Sequence, residues 1–138
     1  MRLLPMRNFA ALSFVALLLL PSCVANKTRV LQSISINPTT AAAHDTPGGL
    51  VQFTATGTFS AEPVTVSPLT IEWTVGHSPY IKIADFGLNG VLIDSNGLAS
   101  CKQGWVGTEK IVATAIANPE LLATASNAVV ATAELTCP

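Results

Sequence analysis

Three groups of residues in this 138-residue chain could do chemistry by type and spacing. Cys23, Cys101 and Cys137 can be acylated, oxidised or metal-bound. His44-Asp45 sets a base beside an acid that could orient it. Asp94-Ser95-Asn96-Gly97 opens like a calcium loop, with oxygen donors at alternate positions and a glycine for the bend. Each pattern makes demands on the rest of the chain. A calcium loop of that kind closes on a glutamate between two helices, and neither follows here, so a turn held by the Asp94 side chain is the expected structure. A zinc site needs about four ligands; C-x-x-C pairs are absent and the chain has only two histidines. Asp85-Phe86-Gly87 matches a kinase magnesium-binding string but lacks the accompanying glycine loop, strand lysine and catalytic loop, and reads as a turn. A hydrolase built on His44 or His77 would need one of them to meet a serine and an acid in space. No metal, cofactor or catalytic residue is expected, and the chain reads as a non-enzyme.

Two aromatics have a different potential. Trp105, in Gln103-Gly104-Trp105-Val106-Gly107, is a loop tryptophan between glycines. It can stack on a sugar ring or a partner, with Tyr80 as a second contact, or it can cap the end of a folded domain.

The cysteines bear on location. Arg2 and Arg7 precede an apolar run, Phe9–Leu20, broken only by Ser13. That is too short for the ~20 apolar residues of a spanning helix and has the form of an export signal. Residues 1–22 are therefore set apart as a signal peptide, 23–29 as a tether and 30–138 as one domain. Leu20-Pro21-Ser22-Cys23 is similar to a bacterial lipobox, whose cysteine is lipidated and becomes the new N-terminus; Pro21 is unusual there. Cleavage after Ala25 is the competing reading. Cys101 and Cys137 lie in the exported part, where oxidising conditions let a disulfide persist. Their pairing leaves Cys23 over, as a lipidated cysteine should be. Closing a loop of roughly 37 residues contributes roughly 4 kcal/mol in the chain-entropy model.

The elements that must position these residues read as strands. Hydrophobic residues make up 49% of the chain and charged residues 11%, with a net charge of −1, which disfavours both disorder and a nucleic-acid partner. Val30, Ile34 and Ile36 alternate with Leu31 and Ser33 up to Asn37-Pro38. Thr39–Gly49 reads as a connection. Val51, Phe53, Ala55, Gly57 and Phe59 alternate with polar partners, as do Leu69, Ile71, Trp73 and Val75 after a proline-rich turn. Short runs follow at Tyr80–Ala84 and Gly90–Ile93. Long ones follow at Ile111–Ile116 and Val130–Cys137, with a helical turn expected over Pro119–Ala125 capped by Asn118. About seven short strands without helical periodicity predict an all-β, antiparallel β-sandwich. Trp73, Phe53, Phe59 and Phe86 are expected in its core.

The stretches "LQSISINPTT", "GGLVQFTATGTF", "LTIEWTV", "VLIDSNGLASC" and "GTEKIVATA" resemble the bacterial immunoglobulin-like group 2 domain. The matching positions are Ile34, Ile36 and Pro38; Gly49, Val51, Phe53 and Ala55; Trp73; Asp94, Gly97 and Leu98; and Gly107, Ile111 and Ala113. Gly76–Gly87 is longer than the family's turn after the tryptophan, and the disulfide is not a general family feature. The resemblance implies an immunoglobulin-like sandwich and a role in adhesion, or as a spacer or accessory module, in the cell envelope. The expectation is a membrane-anchored envelope lipoprotein held through Cys23, or otherwise a periplasmic or secreted protein. Its partner would be a protein or polysaccharide at the cell surface. A carbohydrate-binding, lectin-like module using Trp105 and Tyr80 is the alternative.

Overall fold

A computed structural model describes residues 27–80 and 90–138. The signal peptide, Cys23, the run after Tyr80, Asp85-Phe86-Gly87 and Asn89 lie outside the described residues. Ten strands are present among those described. In order they are β1 (Leu31–Asn37), β2 (Thr40–Ala42), β3 (Leu50–Gln52), β4 (Thr54–Phe59) and β5 (Thr65–Val66). Then come β6 (Glu72–Val75), β7 (Val91–Ile93), β8 (Leu98–Cys101), β9 (Gly107–Ile116) and β10 (Ala128–Cys137).

The fold is an all-β sandwich. One layer is the four-stranded sheet β2-β10-β9-β6, and the other is built from two three-stranded sheets, β1-β4-β5 and β3-β8-β7. Alternation explains the division of faces. Ile111 and Ala113 of β9 and Ala133, Leu135 and Cys137 of β10 turn inward. They meet Ile36 of β1, Phe53 at the β3–β4 junction, Val51 of β3 and Val91 and Ala99 of the opposing sheet in one buried cluster. Exclusion of this apolar surface from water is the main favourable contribution to folding. Trp73 leans on the same cluster, its ring 6.5 Å from that of Phe53 and tilted by 48°.

Three departures from simple alternation have local causes. The run Val51–Phe59 serves two sheets: Gln52 pairs with Leu98 of β8, whereas Thr54 pairs with Asn37 of β1. Between them the Phe53 N–H donates to the Gly97 carbonyl at 2.9 Å, so the strand changes partners without losing its inward face. Leu31 is buried with Ile36 although odd-numbered, because the register with β4 slips between Leu31 and Ser33. A bulge inserts one residue and returns Leu31 to the core side. Thr39–Gly49, expected as a plain connection, contains β2, which pairs in parallel with Glu134–Thr136 of β10, and Ala43, which is buried.

Pro119–Ala125 is not a helical turn. Asn118 Oδ1 accepts the Glu120 N–H at 3.0 Å, an Asx turn, and a 3-10 turn sits later, at Ala125–Asn127. Arg29, expected in the tether, is part of the sandwich: its Nε donates to the Ala61 carbonyl at 3.2 Å and its guanidinium lies 3.6 Å above the Phe59 ring. Phe59 is accordingly half-buried beneath that cation rather than deep in the core.

Cys101 at the end of β8 and Cys137 at the end of β10 form the expected disulfide, with Cα atoms 5.8 Å apart and a sequence separation of 36. It joins the two layers. Replacing both cysteines by alanine should lower the unfolding free energy by about 4 kcal/mol, the loop-closure value for this separation, measured by urea denaturation at fixed pH. An unchanged midpoint would show that the crosslink does not restrain the unfolded chain.

Candidate functional site

Of the residues that could do chemistry, the histidine pair is the simplest to place. His44 and Asp45 sit in a 3-10 turn after β2, with His44 Nε2 3.2 Å from Asp45 Oδ1 and side chains 57% and 73% exposed. Neither His44 nor His77 makes a side-chain hydrogen bond to a serine among the described residues. His77 is half-buried, and its carbonyl accepts the Thr74 hydroxyl at 2.6 Å. Among the described residues no three His, Cys, Asp or Glu side chains cluster closely enough to hold a metal ion.

The Asp94 turn joins β7 to β8. Asp94 Oδ1 accepts the N–H groups of Asn96 and Leu98, each at 2.8 Å, and Gly97 takes φ +82. A side chain at Gly97 would press on the Phe53 carbonyl and the Trp73 ring, so the tight turn and the sheet-switching residue need the same glycine. The carboxylate is satisfied by backbone donors, which is the structural role read for it. Hydrogen bonding from Leu98 first, and from Asn96 and Gly97 besides, holds its pKa below 3.8 against a smaller opposing effect of desolvation.

Trp105 and Tyr80 are not brought together. Trp105 lies between β8 and β9, half-buried, and packs against the central cluster. Its N–H donates to the Lys102 carbonyl at 3.2 Å, and its ring rests on two glycines: a Cβ at Gly90 would fall within the ring, and one at Gly107 would stand 3.0 Å from it. The indole therefore caps this end of the sandwich, the end that also holds Cys137 opposite Gly107. Tyr80 lines an open, mainly apolar groove of about 340 Å³ with Leu31, Phe59, Leu69, Ile71 and Ile116. Thr114–Ile116 of β9 border that groove, while Gly107 begins the strand, so seven residues of strand, about 23 Å, separate the two aromatics.

One cluster has no counterpart in the sequence reading. Asn127 is buried, 8% exposed, and fastens the β9–β10 loop. Its Oδ1 accepts the Asn118 N–H at 3.0 Å, and its Nδ2 donates to the carbonyls of Asn118 at 2.9 Å and Leu122 at 3.1 Å. Held this way, the loop displays Leu121 and Leu122 at 60% and 84% exposure. The signal was present as two adjacent leucines in a turn-forming stretch, but nothing local distinguishes them from a strand fragment.

Two tests follow. Because the folded pKa of Asp94 lies below its unfolded value, its stabilisation is complete above about pH 4 and disappears as the pH falls through the depressed folded pKa. Asp94→Asn should unfold at lower temperature than wild type at pH 7, and the gap should close on acidification; a gap independent of pH would exclude the charge as its source. Gly90→Ala should displace the Trp105 ring, lower the melting temperature and red-shift tryptophan emission, whereas unchanged emission would place the ring elsewhere.

No family model and no curated protein matches this chain.

Proposed function

We propose that this chain is an exported bacterial envelope protein, anchored by lipid on Cys23, whose residues 30–138 form an immunoglobulin-like sandwich. It acts as a non-enzymatic adhesion, spacer or accessory module and meets a protein or polysaccharide at the cell surface. The observation that carries the reading is the Cys101–Cys137 disulfide. It uses two of the three cysteines and leaves Cys23, the one that follows the lipobox-like Leu20-Pro21-Ser22. A crosslink of this kind persists in oxidising compartments, which agrees with export. Acyl chains on one residue, two or more together, are enough for stable attachment where a single chain is not.

The order of the motifs and the all-β sandwich support the immunoglobulin-like part of the proposal, and the exposure of the His44-Asp45 pair, with no side-chain hydrogen bond to a serine among the described residues, supports the non-enzymatic part. The lectin-like alternative loses ground because the Trp105 ring is engaged with Gly90 and Gly107 and is remote from Tyr80.

Mass spectrometry of the native protein from bacterial membranes tests the anchor. The expected result is an N-terminal fragment beginning at acylated Cys23 and a two-dalton deficit against the reduced chain. Cys23→Ser should move the protein from the membrane to the soluble fraction. An unmodified N-terminus at Asn26 would replace the anchored form by a periplasmic or secreted one.

A further inference from the structure

The end of the sandwich that displays Leu121 and Leu122 is also the end from which the N-terminal tether departs. The Thr28 hydroxyl donates to Glu120 Oε2 at 3.3 Å, and the Leu31 N–H donates to the Ala117 carbonyl at 2.8 Å, so the first described residues run alongside the β9–β10 loop. Cys23 precedes Thr28 by five residues in sequence. Whatever their conformation, five residues span at most about 17 Å. A lipid on Cys23 would therefore hold Thr28 within about that distance of the bilayer surface, with Glu120 hydrogen-bonded beside it. We propose that the Asn118–Thr124 loop is a membrane-docking element that sets Leu121 and Leu122 into the headgroup region of the same bilayer that holds the anchor. This rests on the lipid-anchored reading above.

Three features of the loop fit that role. Its two adjacent leucines are among the most exposed large hydrophobics of the described chain. Exposed apolar residues gain by leaving water, and a bilayer interface offers that without a shaped protein pocket. The loop is also held in place, since the buried Asn127 bonds both Asn118 and Leu122, so little ordering remains for docking. Lastly, Lys27, exposed and next to Thr28 in sequence on the Cys23 side, supplies a cation for anionic headgroups. Val106 provides the internal contrast. It is 72% exposed and equally apolar, but it adjoins Gly107 at the other end of the ten-residue β9, about 30 Å from the loop.

The full-length protein, acylated in the bacterial host and reconstituted into vesicles of phosphatidylethanolamine and phosphatidylglycerol, provides the test. Leu122→Trp and Val106→Trp are prepared separately, and their emission above wild type is recorded with and without lipids brominated on the acyl chains. The expected result is loss of the added emission for Leu122→Trp and none for Val106→Trp. Both sites are exposed, so folding is preserved, and near-wild-type circular dichroism confirms it. Mass spectrometry of the same samples keeps the two ideas apart. If Cys23 is not acylated, the anchored reading fails and this proposal fails with it. If Cys23 is acylated and Leu122→Trp is not quenched, only the docking proposal is overturned. Equal quenching at both positions, or a blue-shifted Leu122→Trp that brominated lipid leaves intact in a sedimenting dimer, also overturns it, the latter in favour of self-association.

Discussion

The β9–β10 ladder is the constraint on which the rest of the molecule depends. Ten residue pairs run in unbroken antiparallel register from Ala128↔Ile116 to Cys137↔Gly107. Their inward side chains supply Ile111, Ala113, Ala133 and Leu135, all of them essentially inaccessible to water. The remaining strands of that layer attach to the edges of this pair: β6 pairs with β9, and β2 runs parallel to β10. A slip of one strand by one residue would send its share of those side chains to the wrong face. The register is fixed at both ends by different chemistry. At the open end the disulfide attaches the last residue of β10 to β8 in the opposite layer. At the loop end Asn127 satisfies backbone groups that would otherwise be left without partners.

The period of two made the architecture readable from the residues. Where it is strict, in Ala131–Cys137 and in Val51–Gly57, the inward faces are those expected, and the two cysteines could be paired by counting. What stayed hidden depends on distant partners. Nothing around Phe53 announces that the strand leaves β8 and joins β1 there, because that change is made by the Gly97 carbonyl, 44 residues later in the chain. The bulge that turns Leu31 inward comes from its pairing with Phe59 and not from its own neighbours. Thr40–Ala42 has too few residues to show any period, and only β10 makes it a strand.

The candidate site was less legible than the fold, for a related reason. A side chain such as Trp105 has the same local sequence whether it stacks on a ligand or on its own backbone. What decides is the pair of glycines at 90 and 107, one of them beyond the whole β7–β8 hairpin, that leave room for the ring. Asp94 is the opposite case. Its partners, Asn96 and Leu98, are two and four residues away, so a local turn was the natural expectation and the geometry agrees.

The two ends of the sandwich are chemically unlike, and the β9–β10 hairpin is what makes them so. The hairpin loop, the start of the described chain at Lys27–Thr28 and the exposed leucines share one end. The disulfide, the Trp105 cap and Val106 share the other, about 30 Å away along β9. In a lipid-anchored chain the first end faces the membrane. The second would then be the outer one, the end at which no loop joins β9 to β10. That is where the covalent link lies. Hydrogen bonds suffice near the tether, where β9 and β10 are already joined through a loop. At the outer end Gly107 and Cys137 have no such connection, and the bond to Cys101 replaces it.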